Sequence, residues 1–233
     1  MDIALISILG LIIGSFIAAF TYRIPRGIDF VYGRSFCDSC KMELFWYDNI
    51  PLLSFLFYQG KSRCCNKKIG VRYPVIELSV SIGFILLFSA SLSPIYYLLS
   101  SICLAIFVID IEHQIIPDEL TWLLILFSLC TTNNVLYIGL FAGFFTSFLL
   151  LVLYLITKGR GIGLGDVKFA IPIGIILGFE KSLYWIAASF ILGGIVASVL
   201  LILKLANMKT KIAFGPFMIV AFWAVFLFGD YFF

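Results

Sequence analysis

Residues 135–156, VLYIGLFAGFFTSFLLLVLYLI, form an uncharged apolar run that is long enough to cross a lipid bilayer as a helix. Soon after it, residues 158–168 spell KGRGIGLGDVK, where basic residues and glycines lead into the next apolar segment. Similar runs recur along the chain, and they are continuous rather than alternating in polarity, which excludes a β-barrel. The pattern predicts an all-α integral membrane protein.

The composition supports this class. Hydrophobic residues make up 62% of the chain and charged residues only 12%, and the mean hydropathy is +1.11, values far from those of soluble domains. We expect about eight transmembrane helices, at residues 3–21, 75–91, 94–110, 118–131, 135–156, 167–179, 182–204 and 212–230. The fourth and sixth are short, which is typical of segments that lie partly inside a helical bundle.

The basic residues predict how the chain is oriented. Nine of them lie between the first and second spans, and six more flank the loops after the fifth and seventh spans. The loops on the opposite side contain only Lys181, so fifteen of the sixteen Lys and Arg residues fall on one side. By the positive-inside rule that side is the cytoplasm, and both termini then face outside. Asp110 and Asp166 both fall at the cytoplasmic boundary.

The chain is expected to divide into a first transmembrane helix at 1–21, a cytoplasmic domain at 22–74 and a helical membrane core at 75–233. The cytoplasmic piece is near the lower size limit for independent folding, so an additional constraint is expected. Four cysteines could supply it as zinc ligands: Cys37, Cys40, Cys64 and Cys65. Free or redox-labile thiols are the alternative, because Ser62 occupies the first position of the second CxxC pair. Cys103 and Cys130, within spans, are expected to be buried apolar groups.

Two aspartates at the ends of apolar runs are the best candidates for catalysis. A carboxylate at the edge of a bilayer is costly, so each one requires a partner, a cap or a function. Asp166 could be the N-cap of the sixth span, and Asp118 could cap the fourth in the same way. Asp110 is harder to explain structurally, because it lies at the C-terminal end of a helix, where the macrodipole disfavours an anion.

The functional alternative places Asp110 and Asp166 across a shared water molecule. Two carboxylates held close together cannot both ionise easily, so one stays protonated. The ionised member can then take a proton from water while the other donates to a scissile carbonyl. Gly163 and Gly165 would allow a bound peptide to approach the backbone closely. With Lys168 they form a candidate substrate loop.

The remaining motifs occur in a defined order. They are Gly14-Ser15-Phe16 with Tyr22-Arg23-Ile24-Pro25, residues 34–40, residues 49–54, Arg72-Tyr73-Pro74 with Glu77, Asp110 with Ile116-Pro117-Asp118, and residues 163–168. This ordered set resembles the type IV prepilin peptidases, membrane aspartic proteases of the GxGD group. The resemblance covers nearly the whole chain.

The resemblance implies that Asp110 and Asp166 are the catalytic pair and that the chain removes a short basic leader from prepilin or pseudopilin precursors. The expected location is the inner or plasma membrane, with the active site at the cytoplasmic face. Many family members also methylate the new amino terminus, which implies S-adenosylmethionine as a cofactor. The family usually has two complete CxxC pairs, so Ser62 is a departure that bears on metal binding and on methylation.

Two alternatives from other classes stay open at this point. A proton-coupled transporter would favour acidic residues near the bilayer midplane and repeated halves, whereas the only candidate within a span is Glu77, near its cytoplasmic end, and no repeat is visible. An inactive assembly partner of a pilus or secretion system would share the motifs without the activity. The expected partners are the precursors and the lipid bilayer, and no nucleic acid is expected.

Overall fold

The computed structural model describes residues 2–29, 34–37, 39–131, 136–207 and 210–232. Its α-helices are α1 Ile3–Arg23, α2 Leu53–Phe57, α3 Arg72–Ser89, α4 Ile95–His113, α5 Asp118–Leu129, α6 Leu136–Ile156, α7 Leu164–Ile202 and α8 Gly215–Phe232. Within these ranges the only β-type pairing is two isolated bridges, Phe36–Glu43 and Lys61–Lys68. The prediction of an all-α chain is confirmed.

Five of the described helices are long and apolar enough to cross a membrane: α1, α3, α4, α6 and α7. Two others are shorter, because α5 has only 12 residues and the apolar part of α8 is Gly215–Gly229. The expectation of a multi-pass helical membrane protein is therefore confirmed. The count of eight spans stays a prediction.

Helix α7 covers the two spans predicted at 167–179 and 182–204 and consists of two helices that meet at a kink. As one straight helix its 39 residues would, at about 1.5 Å per residue, be nearly twice as long as the hydrocarbon core is thick. Gly178 interrupts it with φ 75° and ψ 179°, a conformation open essentially to glycine alone. Two helices are therefore present as predicted, and the break between them lies at Gly178 rather than at residues 180–181.

The chain forms two compact units, residues 1–105 and 106–233. In the first unit α1 packs along α3, and a serine pair joins them, with the hydroxyls of Ser7 and Ser81 3.0 Å apart. Gly10 lets the two backbones approach closely, because a methyl group added there would lie 2.6 Å from Cα of Ser81. Small residues at such contacts are typical of helix pairs in membranes. The division into 1–21, 22–74 and 75–233 follows membrane topology and stays a prediction.

Replacing Gly10 by alanine tests this contact. In a helix interior, Gly→Ala ordinarily stabilises by about 1 kcal/mol, but here the added methyl must push α1 away from α3. We expect a net loss of about 1–3 kcal/mol in the free energy of unfolding, measured in detergent. Gly83→Ala on α3 is the control, since its added methyl meets nothing within 4 Å. Equal effects of the two substitutions would contradict this packing.

In the second unit α6 and α7 form the most extensive helix pair among the described residues. The Ser147 hydroxyl of α6 donates a 2.8 Å hydrogen bond to the carbonyl of Val167, which fixes the first turn of α7. Beyond the break at Gly178, the Thr146 hydroxyl donates to Ser182 at 3.1 Å. Trp185, fully buried, donates through its indole N–H to the carbonyl of Met218 in α8 at 2.7 Å. These bonds position the start of α7, where Asp166 lies.

Candidate active site

Asp110 lies in the last turn of α4 and is only 5% exposed. Its Oδ2 accepts a 2.9 Å hydrogen bond from the backbone N–H of Gly215, the first residue of α8. The first amides of a helix have no partner within the helix, and the macrodipole makes that end positive. The N-terminus of α8 therefore offsets the unfavourable dipole at the C-terminal end of α4.

Asp166 is 7% exposed and lies in the first turn of α7. The prediction that it is the N-cap is wrong, because Gly163 holds that position and Asp166 is the third residue of the helix. Its Oδ2 accepts a 2.9 Å hydrogen bond from the N–H of Gly163, which is the acidic half of a capping box. The carboxylate thus has a structural role that uses one of its two oxygens.

The structure brings Asp110 and Asp166 together in the second unit, near enough for the charge of one to act on the other. Ile116 lies close to Gly165, which precedes Asp166, and to Gly215, which supports Asp110. A methyl group added at Gly165 would lie 3.1 Å from Cβ of Ile116, and one added at Gly215 would lie 3.5 Å from its Cδ1. Among the described residues, each carboxylate makes its one hydrogen bond through Oδ2, so Oδ1 of each is left for a ligand.

Lys168 and Asp118 form an ion pair beside this site. The Lys168 ammonium lies 2.8 Å from both carboxylate oxygens of Asp118 and links α7 to α5. The prediction that Asp118 caps α5 is wrong, because Pro117 is the N-cap and Asp118 is the first residue of the helix. Both side chains are substantially exposed, so the pair contributes little stability.

Two short hairpins in the first unit carry the four cysteines. In one, the N–H of Cys37 donates to the carbonyl of Met42, and in the other the N–H of Ser62 donates to that of Lys67. Each hairpin is closed by an isolated bridge, Phe36–Glu43 in the first and Lys61–Lys68 in the second. By this backbone correspondence Ser62 is equivalent to Cys37, and Cys65 is equivalent to Cys40.

The four sulfur atoms lie within 4.8 Å of one another. The Cys37 and Cys65 sulfurs are 3.8 Å apart and the Cys40 and Cys64 sulfurs 3.1 Å apart. In a tetrahedral zinc site with Zn–S bonds of about 2.3 Å, neighbouring sulfurs are separated by roughly 3.8 Å. The donor set and its spacing therefore fit zinc, with Cys64 supplying the sulfur that Ser62 lacks.

The local contacts make the thiols of this cluster unequal. Burial raises the pKa of the Cys37 thiol, but hydrogen bonds with Ser62 and the backbone of residues 39 and 40 outweigh it and lower the pKa to about 6. The hydrogen bond with Cys64 raises the pKa of Cys40 to about 12. Cys37 therefore ionises before Cys40, and the thiolate is the form that binds metals. Of the two remaining cysteines, Cys103 is buried as expected, whereas Cys130 is exposed.

A cavity of about 400 Å³ lies beside these hairpins, wholly within the first unit. Glu77 of α3 lines it and is 7% exposed, and its Oε2 accepts a 2.9 Å hydrogen bond from the N–H of Leu52. The volume is in the range of small-molecule sites.

Sequence reasoning missed Gly215, which supports Asp110. The Gly-Pro step at residues 215–216 is a recognisable helix start and could have indicated it. Ile116 and Leu52 lie in motifs that carry the family resemblance, but their contacts with these sites are visible only in the tertiary structure.

Comparison with known proteins agrees with this geometry. Residues 8–91 match the Bacterial Peptidase A24 N-terminal domain, and residues 97–228 match the Type IV leader peptidase family. Relatives named "Prepilin leader peptidase/N-methyltransferase" include those of Klebsiella pneumoniae, Vibrio cholerae and Pseudomonas aeruginosa. The Klebsiella protein is 34% identical over 73% of this chain and 83% of its own length.

The other two relatives align over most of both chains. The Vibrio protein is 32% identical over 95% of each chain, and the Pseudomonas protein is 29% identical over 96% of this chain and 89% of its own. No solved structure matches. The two domain matches together span both compact units, and the chain therefore belongs to the type IV leader peptidase family.

Proposed function

We propose that this chain removes the leader peptide of type IV prepilins or pseudopilins, with Asp110 and Asp166 as the catalytic pair. The assignment of Asp110 and Asp166 rests on one observation. Two nearly buried carboxylates lie within electrostatic range of each other in the unit that matches the leader peptidase family, and each has an oxygen that bonds none of the residues the structure describes.

The chemistry is that of an aspartic protease. The ionised carboxylate takes a proton from a water molecule, and the resulting oxygen nucleophile attacks the scissile carbonyl. The protonated partner donates to the carbonyl oxygen, and proton return to the leaving amine breaks the C–N bond. The hydrogen bonds from Gly163 and Gly215 hold Oδ2 of each carboxylate, so that Oδ1 faces the reactants.

The membrane arrangement of the proposal is eight spans with the pair at the cytoplasmic boundary. The distribution of fifteen basic residues against one supports this orientation. A precursor with a basic leader followed by an apolar helix would present its cleavage point at that depth. Gly163, Gly165 and Lys168, which flank Asp166 in the chain, form the proposed substrate loop.

We further propose that Cys37, Cys40, Cys64 and Cys65 hold a structural zinc ion. Purified wild-type protein should contain about one zinc per chain. Cys64→Ser should lose the metal, and adding Ser62→Cys to that variant should restore it, because Ser62 occupies the position equivalent to Cys37. Metal analysis of each purified protein provides the measurement.

Cys130→Ser, outside the cluster, is the matched control and should retain zinc. Full zinc content in Cys64→Ser would remove Cys64 from the ligand set. Absence of zinc from carefully reduced wild-type protein would eliminate the site altogether.

The names of the relatives support a second step, N-methylation of the new amino terminus, for which S-adenosylmethionine supplies the methyl group. The direct test of both steps is incubation of purified protein with a prepilin precursor, with and without S-adenosylmethionine, followed by mass spectrometry. We expect the mass to fall by that of the leader in both samples and one methyl group to be added only with the cofactor. An unprocessed precursor would instead favour the inactive assembly partner.

A further inference from the structure

Helix α2 of the first unit turns an apolar face away from the protein. Leu53, Leu56 and Phe57 are spaced i, i+3 and i+4, so they lie on one side of the helix. Their side chains are 65%, 69% and 81% exposed. The other side of the helix contributes Ser54 and Phe55 to the lining of the cavity. The polar and half-buried residues of α2 therefore face inward, and its large apolar ones face outward.

A second short element is exposed in the same way. Trp46 begins a 3₁₀ turn, Trp46–Asn49, that packs beside α2, and its side chain is 78% exposed. Phe45, just before it, is also exposed and stacks on Tyr47 with the ring centroids 5.4 Å apart. Clustered apolar side chains with this exposure mark contact with a membrane or a partner, and Trp and Tyr are enriched at membrane–water interfaces. The exposed apolar surface consists of Phe45, Trp46, Leu53, Leu56 and Phe57.

A hydrogen bond fixes where this surface lies along α3. The N–H of Leu52, which precedes α2, donates to Oε2 of Glu77 at 2.9 Å. Glu77 is in the second turn of α3, a helix that is long and apolar enough to cross a membrane. Val75 and Leu78 of the same turns are exposed, as expected of side chains that face lipid. The start of α2 is therefore held close to the point at which α3 enters the bilayer.

The chain that follows α2 contains a pair of lysines that repel each other. Lys61 and Lys68 are opposite one another in the bridge of the second hairpin, and the backbone hydrogen bonds run between the residues that flank them. In such a pair the side chains lie close together on one face, and like charges there are destabilising. Both lysines are exposed, and among the described residues neither has a carboxylate oxygen within 4.0 Å. An anionic group bound between them would offset the repulsion.

We propose that the exposed apolar surface docks onto the bilayer in which the chain is embedded, with Lys61 and Lys68 at the phosphates of anionic phospholipids. Amphipathic segments with basic neighbours lie in the plane of the membrane interface in this way. Residues 22–74 contain nine basic and four acidic residues, a net charge of +5, which favours an anionic leaflet over a neutral one. The inference concerns the first unit alone and does not depend on the assignment of the catalytic aspartates.

Quenching of Trp46 fluorescence by brominated lipids tests the docking. The purified full chain is placed in vesicles of phosphatidylcholine and phosphatidylglycerol, in which one lipid or the other carries bromine near the top of its acyl chains. The emission of Trp46 is the difference between wild type and Trp46→Phe, because the other three tryptophans are common to both. We expect quenching, with brominated phosphatidylglycerol about fivefold more effective, the effect of one lysine at an anionic surface. Emission that neither brominated lipid quenches would overturn the proposal.

The double variant Leu56→Glu with Phe57→Glu tests the apolar face. It should abolish the quenching of Trp46, because two carboxylates oppose entry into an anionic interface. Both side chains are exposed, so the fold should be retained. Gln59→Glu is the matched control, since it adds a carboxylate at a residue that is already polar and exposed, and it should be quenched as wild type is. Full quenching in the double variant would overturn the proposal, and the wild-type measurement decides alone if that variant does not accumulate.

Lys61→Gln tests the lysine pair. The variant should still be quenched, because its apolar surface is intact, but it should lose most of the preference for brominated phosphatidylglycerol. An unchanged preference would exclude the lysine pair from lipid binding and overturn that part of the proposal.

Addition of a precursor distinguishes the bilayer from a protein partner. Docking on lipid must be observed in vesicles that contain no precursor. Trp46 emission that lipid does not quench, but that changes when a prepilin precursor is added, would identify a precursor-binding surface and show the proposal to be wrong. None of these measurements involves cleavage or a cofactor, so their failure and the failure of the proposed peptidase are distinguishable.

Discussion

Asp110→Asn and Asp166→Asn are each expected to reduce leader removal on the order of 10³-fold or more, since each removes one of the two proton-transfer groups. Asparagine keeps the size of aspartate and an oxygen that can accept the hydrogen bond from Gly215 or Gly163. The variants should therefore fold and accumulate in the membrane. Cleavage of a purified precursor at several enzyme concentrations measures the loss.

Glu180→Gln is the matched control for this pair. Glu180 is an exposed carboxylate in the part of α7 beyond the break at Gly178, so its loss should leave the cleavage rate within about twofold of wild type, as expected for a surface change. Near-normal cleavage by either asparagine variant would exclude that aspartate from the mechanism. A double variant no slower than the singles would indicate that the two carboxylates act as one unit.

Gly215→Ala is expected to reduce cleavage about 100-fold while leaving the fold intact. The added methyl would lie 2.6 Å from Oδ2 of Asp110, so the carboxylate must move by about 1 Å, enough to disturb a reacting geometry by this factor. The change concerns the position of a catalytic group rather than its chemistry. It should therefore lower kcat far more than it raises KM.

Gly194→Ala provides the comparison for Gly215→Ala. It lies in the second part of α7, and a methyl group added there meets nothing within 4 Å. Its cleavage rate should match that of wild type. Equal activity of Gly215→Ala and wild type would show that the contact between α8 and Asp110 has no part in positioning the carboxylate.

Local sequence predicted the helices well because hydropathy is a property of contiguous residues. Uncharged runs such as 135–156 have few alternatives to a helix once they are in lipid. Connections were predicted less accurately. Two spans were predicted at 167–179 and 182–204, and the chain does break between two helices, but the break lies at Gly178, because one glycine is sufficient to interrupt the hydrogen-bond ladder.

At the candidate sites too, local sequence did not predict the contacts of individual side chains. A carboxylate after glycines suggested an N-cap at Asp166, but Gly163 is the N-cap and Asp166, the third residue of the helix, accepts the hydrogen bond of its N–H. A missing cysteine at position 62 suggested poor metal geometry. The fold brings Cys64 into the cluster instead, through a hairpin whose backbone bonds a sequence pattern does not specify.

The sequence by itself determined that the chain is a helical membrane protein, which residues are acidic at the ends of its apolar runs, and which family its motifs resemble. These are local properties, decided by composition and short spacing. Only the tertiary structure showed which distant residues come together. It places the amide of Gly215 against Asp110, 105 positions earlier in the chain, clusters the four cysteine sulfurs, and forms the cavity that Glu77 lines. Such pairings depend on how helices pack, and packing is selected by the summed contacts of distant residues rather than by any one segment.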